Sequence, residues 1–239
     1  VPLPHHVRSD VIHRCLLKTL FFRRRGFGLF LDQQLDFFQF DEGFAQHIAR
    51  SLSENGFNHA LFEPAPSGLS ESEIAAGHWG TFSARYGNVY TARQLVQLVD
   101  RAEGRFEPVD AAWQSPDGRW IDPFRPQIER DGWASADEVV RARRGHLAAV
   151  RRMFRDVRVF VFTLGLTEAW RSTRDGAVFP LSPGVVASGL DPDDFEFVNF
   201  SMREVLADLE TFHEAVRALN PAIKLVLTVS PVPLVATYE

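Results

Sequence analysis

Carboxylates and hydroxyls gather at three places in this chain where a parallel sheet would carry a ligand. Asp41-Glu42 follow an apolar run at 35–40, Thr167-Glu168 follow one at 157–164, and Ser230 follows one at 223–229. If those runs are strands, all three groups lie beyond carboxyl ends, the edge at which open α/β sheets bind their ligands. Groups of these types serve as nucleophiles, proton carriers or donors to a developing negative charge. Strand ends are also polar in many proteins that do no chemistry, and Ser230 reads as only the end of its strand.

The elements that must position these groups come from periodicity. Residues 157–164 (VRVFVFTL) and 223–229 (IKLVLTV) are nearly continuous apolar runs, the pattern of strands buried on both faces. Each follows a long amphipathic segment, 136–155 and 202–219, and Asn220-Pro221 stops the second. Within 44–55, Phe44, Ile48 and Leu52 fall on one helix face, and Gly56 follows where a left-handed residue ends a helix. Residues 58–62 read as a further strand, ended by Pro64 and Pro66. A helix is expected at about 91–103, with Leu95, Leu98 and Val99 on one side.

Four segments open with a capping box, in which two side chains satisfy free amides at a helix start. They are Ser70 with Glu73, Thr91 with Gln94, Ser135 with Glu138, and Ser201 with Glu204. The stretch 104–134 is rich in Pro, Gly, Trp and Asp. It reads as an ordered insertion, because Trp113, Trp120 and Trp133 need packing partners. Alternating strands and helices predict a parallel sheet with helices on both faces.

Composition narrows the class. Apolar residues make up 45% and charged residues 24% of the 239, ordinary for a globular protein. A formal charge of −5 argues against a nucleic-acid partner. The lone Cys15 excludes an internal disulfide framework and fits a reducing compartment. No apolar run approaches the roughly 18 residues of a bilayer span, and Phe21-Phe22-Arg23-Arg24-Arg25 reverses the order of a secretory signal. The expectation is a cytoplasmic protein. No Cys/His cluster has metal spacing, and no Gly-rich loop opens a helix in the form a phosphate site needs, so no metal or cofactor is expected.

Five blocks then occur in order. They are Phe44-Ala45-Gln46-His47-Ile48, Phe82-Ser83-Ala84-Arg85-Tyr86-Gly87-Asn88-Val89-Tyr90, Asp122-Pro123-Phe124-Arg125-Pro126, Leu164-Gly165-Leu166-Thr167-Glu168-Ala169-Trp170 and Ser230-Pro231-Val232-Pro233. With these blocks the chain resembles the GSCFA family, which is similar to the SGNH/GDSL hydrolases, from Phe44 to its end. The resemblance implies an α/β three-layer SGNH-like domain, set at 35–239. Residues 1–34, which mix His5-His6, a basic run at Arg23–Arg25 and scattered Phe and Leu without a period, read as an irregular N-terminal arm. It also implies hydrolysis or transfer of an acyl ester, on a small molecule or a carbohydrate.

In enzymes of that type a serine attacks the ester carbonyl and a histidine takes its proton. The oxyanion is held by backbone amides and a side-chain donor. By that resemblance Gly87 supplies the glycine amide. Thr167-Glu168 takes the place of an Asn-Asp pair, with the Thr167 hydroxyl as a donor. Tyr86, Asn88, His78 and Trp170 are the residues expected around the substrate. On residue types alone, Tyr86-Gly87-Asn88 is also a turn. Thr167-Glu168 is likewise a helix N-terminus, where Thr caps and Glu favours the dipole.

Two departures bear on activity. Where the family reads Gly-Ser-Cys before Phe44, this chain has Asp41-Glu42-Gly43, so Glu42 occupies the nucleophile position. A carboxylate there repels a developing oxyanion, and on its own terms Glu42 is a first-turn helix acid. His47 reads as a packed or capping histidine. The late Asp-x-x-His block that carries the base is also missing before Glu239; Arg143-Arg144-Gly145-His146 does not match it. A reading-frame error upstream of Phe44 would account for the first loss, an early stop or a fragmentary sequence for the second, and a degenerate paralogue for both. A missing C-terminal part would leave an apolar sheet face or edge exposed. This chain is expected to be inactive or incomplete as a serine hydrolase. The alternative is a non-catalytic module whose pocket binds an acylated or carbohydrate ligand or a protein partner.

Overall fold

The computed structural model describes residues 36–38, 54–129 and 131–230. The chain divides into two units, Val1–Gln34 and Leu35–Glu239, and every described residue lies in the second. In chain order its elements are β1 (Asp36–Phe38), β2 (Asn58–His59), α1 (Glu71–Ala76), α2 (Ala92–Ala102), β3 (Trp113–Gln114), β4 (Trp120–Ile121), α3 (Ala136–Asp156), β5 (Val159–Leu164), β6 (Glu168–Ser172), β7 (Val178–Phe179), α4 (Pro183–Val186), β8 (Phe195–Asn199), α5 (Met202–Leu219) and β9 (Lys224–Val229).

The chain folds as an α/β protein around a four-stranded parallel sheet of order β2-β1-β5-β9. Strand β5 is central, running alongside β9 over six residue pairs from Val159 opposite Lys224 to Leu164 opposite Val229. Its side chains alternate between faces. Phe160 and Phe162 meet Leu95, Leu98 and Val99 of α2, Val150, Met153 and Phe154 of α3, and Phe212 and Val216 of α5. Phe154, Phe160 and Phe212 form a ring triangle with centroids 5.4–5.7 Å apart. Val159, Val161 and Thr163, on the opposite face, are buried as well. That double enclosure is why the run is apolar throughout.

The helices start where their caps dictate. Full capping boxes form at Ser70/Glu73, Thr91/Gln94 and Ser201/Glu204. At α3 the box is incomplete: Ser135 accepts from the Glu138 amide, but the Glu138 carboxylate turns to the Ala134 amide. The expected helix at 44–55 lies almost wholly outside the described residues. Gly56, which follows it, has φ +81°. The strand expected over 58–62 is shorter, pairing at Asn58 and His59 alone.

The segment after β5 departs from the expected strand-helix alternation. Glu168 opens a strand, not a helix, and β6 is the middle of an antiparallel sheet of order β7-β6-β8. Glu168–Ser172 alternates residues between two faces, which suits a sheet and gives a helix no apolar stripe. Much of the described part of the insertion at 104–134 packs on this second sheet. Its hairpin β3-β4 places Trp113 against Phe179 (4.6 Å) and Phe195 (5.7 Å), with Ile121 and Phe124 in the same cluster. Trp120 and Trp133 exchange both backbone hydrogen bonds. On β9, Val226, Leu227 and Val229 are exposed. No helix among the described residues is long and apolar enough to cross a membrane.

Candidate functional site

The chain passes from β1 outward to β2, then returns to the other side of β1 to build β5. Open α/β sheets bind their ligands at such a reversal, beyond the carboxyl ends of the strands. Glu42, four residues beyond β1, lies outside the described residues, as does His47. The residues after β5 are described. The Leu166 amide donates to the Tyr90 carbonyl (3.2 Å), which pins the loop 86–90 over the end of β5. The Phe200 amide donates to the Thr167 carbonyl (2.8 Å), and the Ser230 amide to the Leu164 carbonyl (2.9 Å). Thr167 is exposed and its hydroxyl bonds to no described residue. The structure therefore brings Gly87, Asn88, Thr167, Glu168 and Ser230 to one end of the sheet.

Within that loop Gly87 is glycine for two reasons. Its φ is +66°, in the left-handed region. A Cβ there would sit 3.1 Å from the Arg125 Cβ and 3.3 Å from the Arg125 Cα. Its amide, like those of Asn88 and Val89, donates to no described group. Gly87, Asn88 and Val89 are buried; successive backbone amides of this kind are the groups that oxyanion sites employ. Asn88 is buried, giving its Nδ2 to Tyr90 Oη and Gln127 Oε1 and so fixing the loop.

The other expected residues scatter. Tyr86 is a core residue, 5.5 Å from Phe82 and 6.2 Å from the His146 ring between centroids. Trp170 packs against Phe197 (6.1 Å) within the antiparallel sheet. His78 takes φ +53° at the end of α1, and its neighbour Trp79 faces the cavity described below. A serine–histidine contact does occur, Ser83 Oγ to His59 Nε2 at 3.3 Å, but Ser83 is completely buried and cannot meet a substrate.

Behind Gly87 lies an ionic network that residue spacing gave no means of finding. Asp122 is fully buried and accepts from Arg125 Nε (2.9 Å) and from Arg143 Nε (3.1 Å) and Nη2 (2.7 Å). Burial alone would raise its carboxyl, but the two guanidiniums hold it well below the usual range. Arg125 Nη1 donates to the Arg85 carbonyl, and Arg143 Nη2 to the Ala111 carbonyl. One carboxylate thus ties the insertion, the Gly87 loop and α3 together.

A second knot joins the segment after β2 to α3. His146 Nδ1 lies 2.8 Å from Glu63 Oε2, which also accepts from the Arg85 amide (2.7 Å). Burial and the Arg125 charge bring the His146 imidazole down to about 4, against the pull of Glu63. Burial pushes Glu63 up, but the His146 bond and charge, Arg125 and the Arg85 amide bring it to about 2. At neutral pH the pair is therefore a neutral imidazole donating Nδ1–H to a carboxylate. Glu63 and His146 border a cavity of about 320 Å³, with Arg85, Arg125, Arg152, Trp79 and Trp133 on its wall. Among the described residues no group of three or more His, Cys, Asp or Glu is arranged to hold a metal.

The profile of the GSCFA family matches residues 37–238, well over half of the sequence. The chain belongs to the GSCFA family. No curated protein and no solved structure matches it. In this GSCFA protein the blocks at Phe82–Tyr90, Asp122–Pro126 and Leu164–Trp170 meet physically, through Arg125 on Gly87 and Leu166 on Tyr90.

Two outcomes follow from this geometry. Gly87→Ala combines a left-handed φ with a close approach to Arg125 and should cost about 1–3 kcal/mol in urea unfolding; a change below about 0.5 kcal/mol contradicts the packing described. His146 is held below its unfolded value of 6.5, so its stabilisation is complete above that pH and is lost as pH falls toward 4. Up to about 3 kcal/mol should disappear between pH 7 and 4. His146→Gln should flatten that part of the stability profile, and an unchanged slope contradicts the assignment.

Proposed function

We propose that this GSCFA protein carries an acyl-ester site of SGNH type, on a three-layer SGNH-like domain, in which the chemistry is disabled at position 42. The observation that carries the reading is the Gly87 loop, pinned over the end of the central strand with its amides unspent. In the active form of such a site a serine oxygen attacks the acyl carbonyl while its proton passes to a base. The carbonyl oxygen becomes an anion held by the Gly87 amide and the Thr167 hydroxyl, and the alcohol leaves when that anion collapses.

Glu42 breaks the first step. A carboxylate brings charge where charge is developing, and its attack on the acyl carbonyl would give an anhydride instead of a seryl ester. Glu168 stands beside Thr167 at the same edge, and Asn88 holds the loop in place. Tyr86 supports the loop from the core, and His78 and Trp170 take no part in the step. The substrate class is an acyl ester of a small molecule or a carbohydrate.

The test is Glu42→Ser, assayed on p-nitrophenyl acetate with and without added imidazole as an external base. The parent should show no cleavage above buffer. The variant should gain at least ~10-fold over the parent, increasing with imidazole, since an oxyanion site alone sustains substantial catalysis when other members are lost. No gain at any imidazole concentration contradicts the reading.

A further inference from the structure

The cavity bordered by Glu63 and His146 has donors and acceptors that the fold leaves unused. Arg85 gives Nε to the Gly77 carbonyl and Nη2 to the Ile128 carbonyl and Glu129. Its Nη1 donates to no described residue, and it is not among the sealed, unpartnered atoms. Arg125 gives Nε to Asp122 and Nη1 to the Arg85 carbonyl, and its Nη2 is likewise unspent and unsealed. Both residues line the cavity, with Arg152 on the same wall.

Charge points the same way. Arg85, Arg101, Arg125 and Arg143 are gathered with Asp122, Glu63 and Glu129, and Arg152 adds another cation. Buried charges are normally matched, and here guanidiniums outnumber carboxylates. Arg101, stacked 4.0 Å over Phe124, is brought down to about 9 by burial and by Arg143 and Arg125.

The acceptor side is equally defined. With Nδ1–H committed to Glu63, His146 Nε2 carries a lone pair and bonds to no described residue. Glu129 stands partly exposed on the wall as a further acceptor. Trp79, its ring held under the Arg85 guanidinium at 3.7 Å, and Trp133 supply apolar surface. Cations, lone-pair acceptors and aromatic surface together suit a ring with a carboxylate and hydroxyls. The cavity volume lies at the small end of ligand sites.

We propose that this cavity binds an acidic sugar of monosaccharide size, its carboxylate on Arg85 Nη1 and Arg125 Nη2 and a hydroxyl donated to His146 Nε2. The ligand is bound and not transformed, and the site depends neither on position 42 nor on the ester reading.

Gly145 permits a test that spares the ionic network. It lies on α3 at the cavity wall, and a Cβ there meets nothing within 4 Å. Gly145→Met fills the cavity and replaces a poor helix former with a good one, so the variant should fold at least as well as the parent. Calorimetric titration with glucuronate, glucose and inorganic phosphate reads the site. Glucuronate should saturate, with glucose and phosphate at least ~10-fold weaker. Gly145→Met, folded by circular dichroism, should lose at least ~10-fold in glucuronate affinity, and Arg152→Ala should weaken it. The proposal is overturned if glucuronate fails to saturate by about 10 mM. It is overturned equally if glucose or phosphate binds as tightly, or if Gly145→Met binds like the parent.

Discussion

One buried carboxylate organises the candidate site of this molecule. Asp122 has no contact with water, and it is tolerable there because Arg125 and Arg143 satisfy both of its oxygens. The two guanidiniums then reach outward to the Arg85 and Ala111 carbonyls. Removing one partner of such a group typically costs about 3–5 kcal/mol, because the remaining charges stay buried and unpaired. The cost of the network is also its use, since it fixes three segments distant in sequence in one arrangement.

The two sites described depend on that arrangement in different ways. The Gly87 loop rests on Arg125 and so inherits its height above the sheet from Asp122. At the cavity, Asp122 orients Arg125 through Nε and the Arg85 carbonyl takes Nη1, which leaves Nη2 free of described partners. The sheet contributes the adjacent strands β1 and β5, and the antiparallel layer contributes Phe179 and Phe195, against which Trp113 of the insertion packs. The GSCFA blocks meet because these layers bring them together.

Local rules made much of the fold legible. The apolar runs at β5 and β9, the amphipathic helices before them and three of four capping boxes all rest on interactions within a few residues. The sheet β7-β6-β8 was illegible because its strands are short and stabilised by partners elsewhere, such as Trp170 against Phe197. Thr167-Glu168 carried a helix-start pattern that tertiary pairing overrode. At the site, Gly87 was legible as a backbone special case, but its contact with Arg125 was not. Glu63 and His146 lie 83 residues apart and no spacing joins them. Arg143-Arg144-Gly145-His146 drew attention as a failed match to a catalytic block, while its real partners, Asp122 and Glu63, lay far away in sequence.

The most direct measurement is native-state hydrogen exchange on Asp122→Asn, comparing the Arg85 and Leu166 amides with those of Phe160 and Phe162 in β5. The Arg85 amide bonds to Glu63, and the Leu166 amide bonds to Tyr90. If Asp122 positions the site, protection at Arg85 and Leu166 falls by far more than protection in β5. If the loop amides lose no more protection than the strand does, the ionic network does not hold the site, and the account fails.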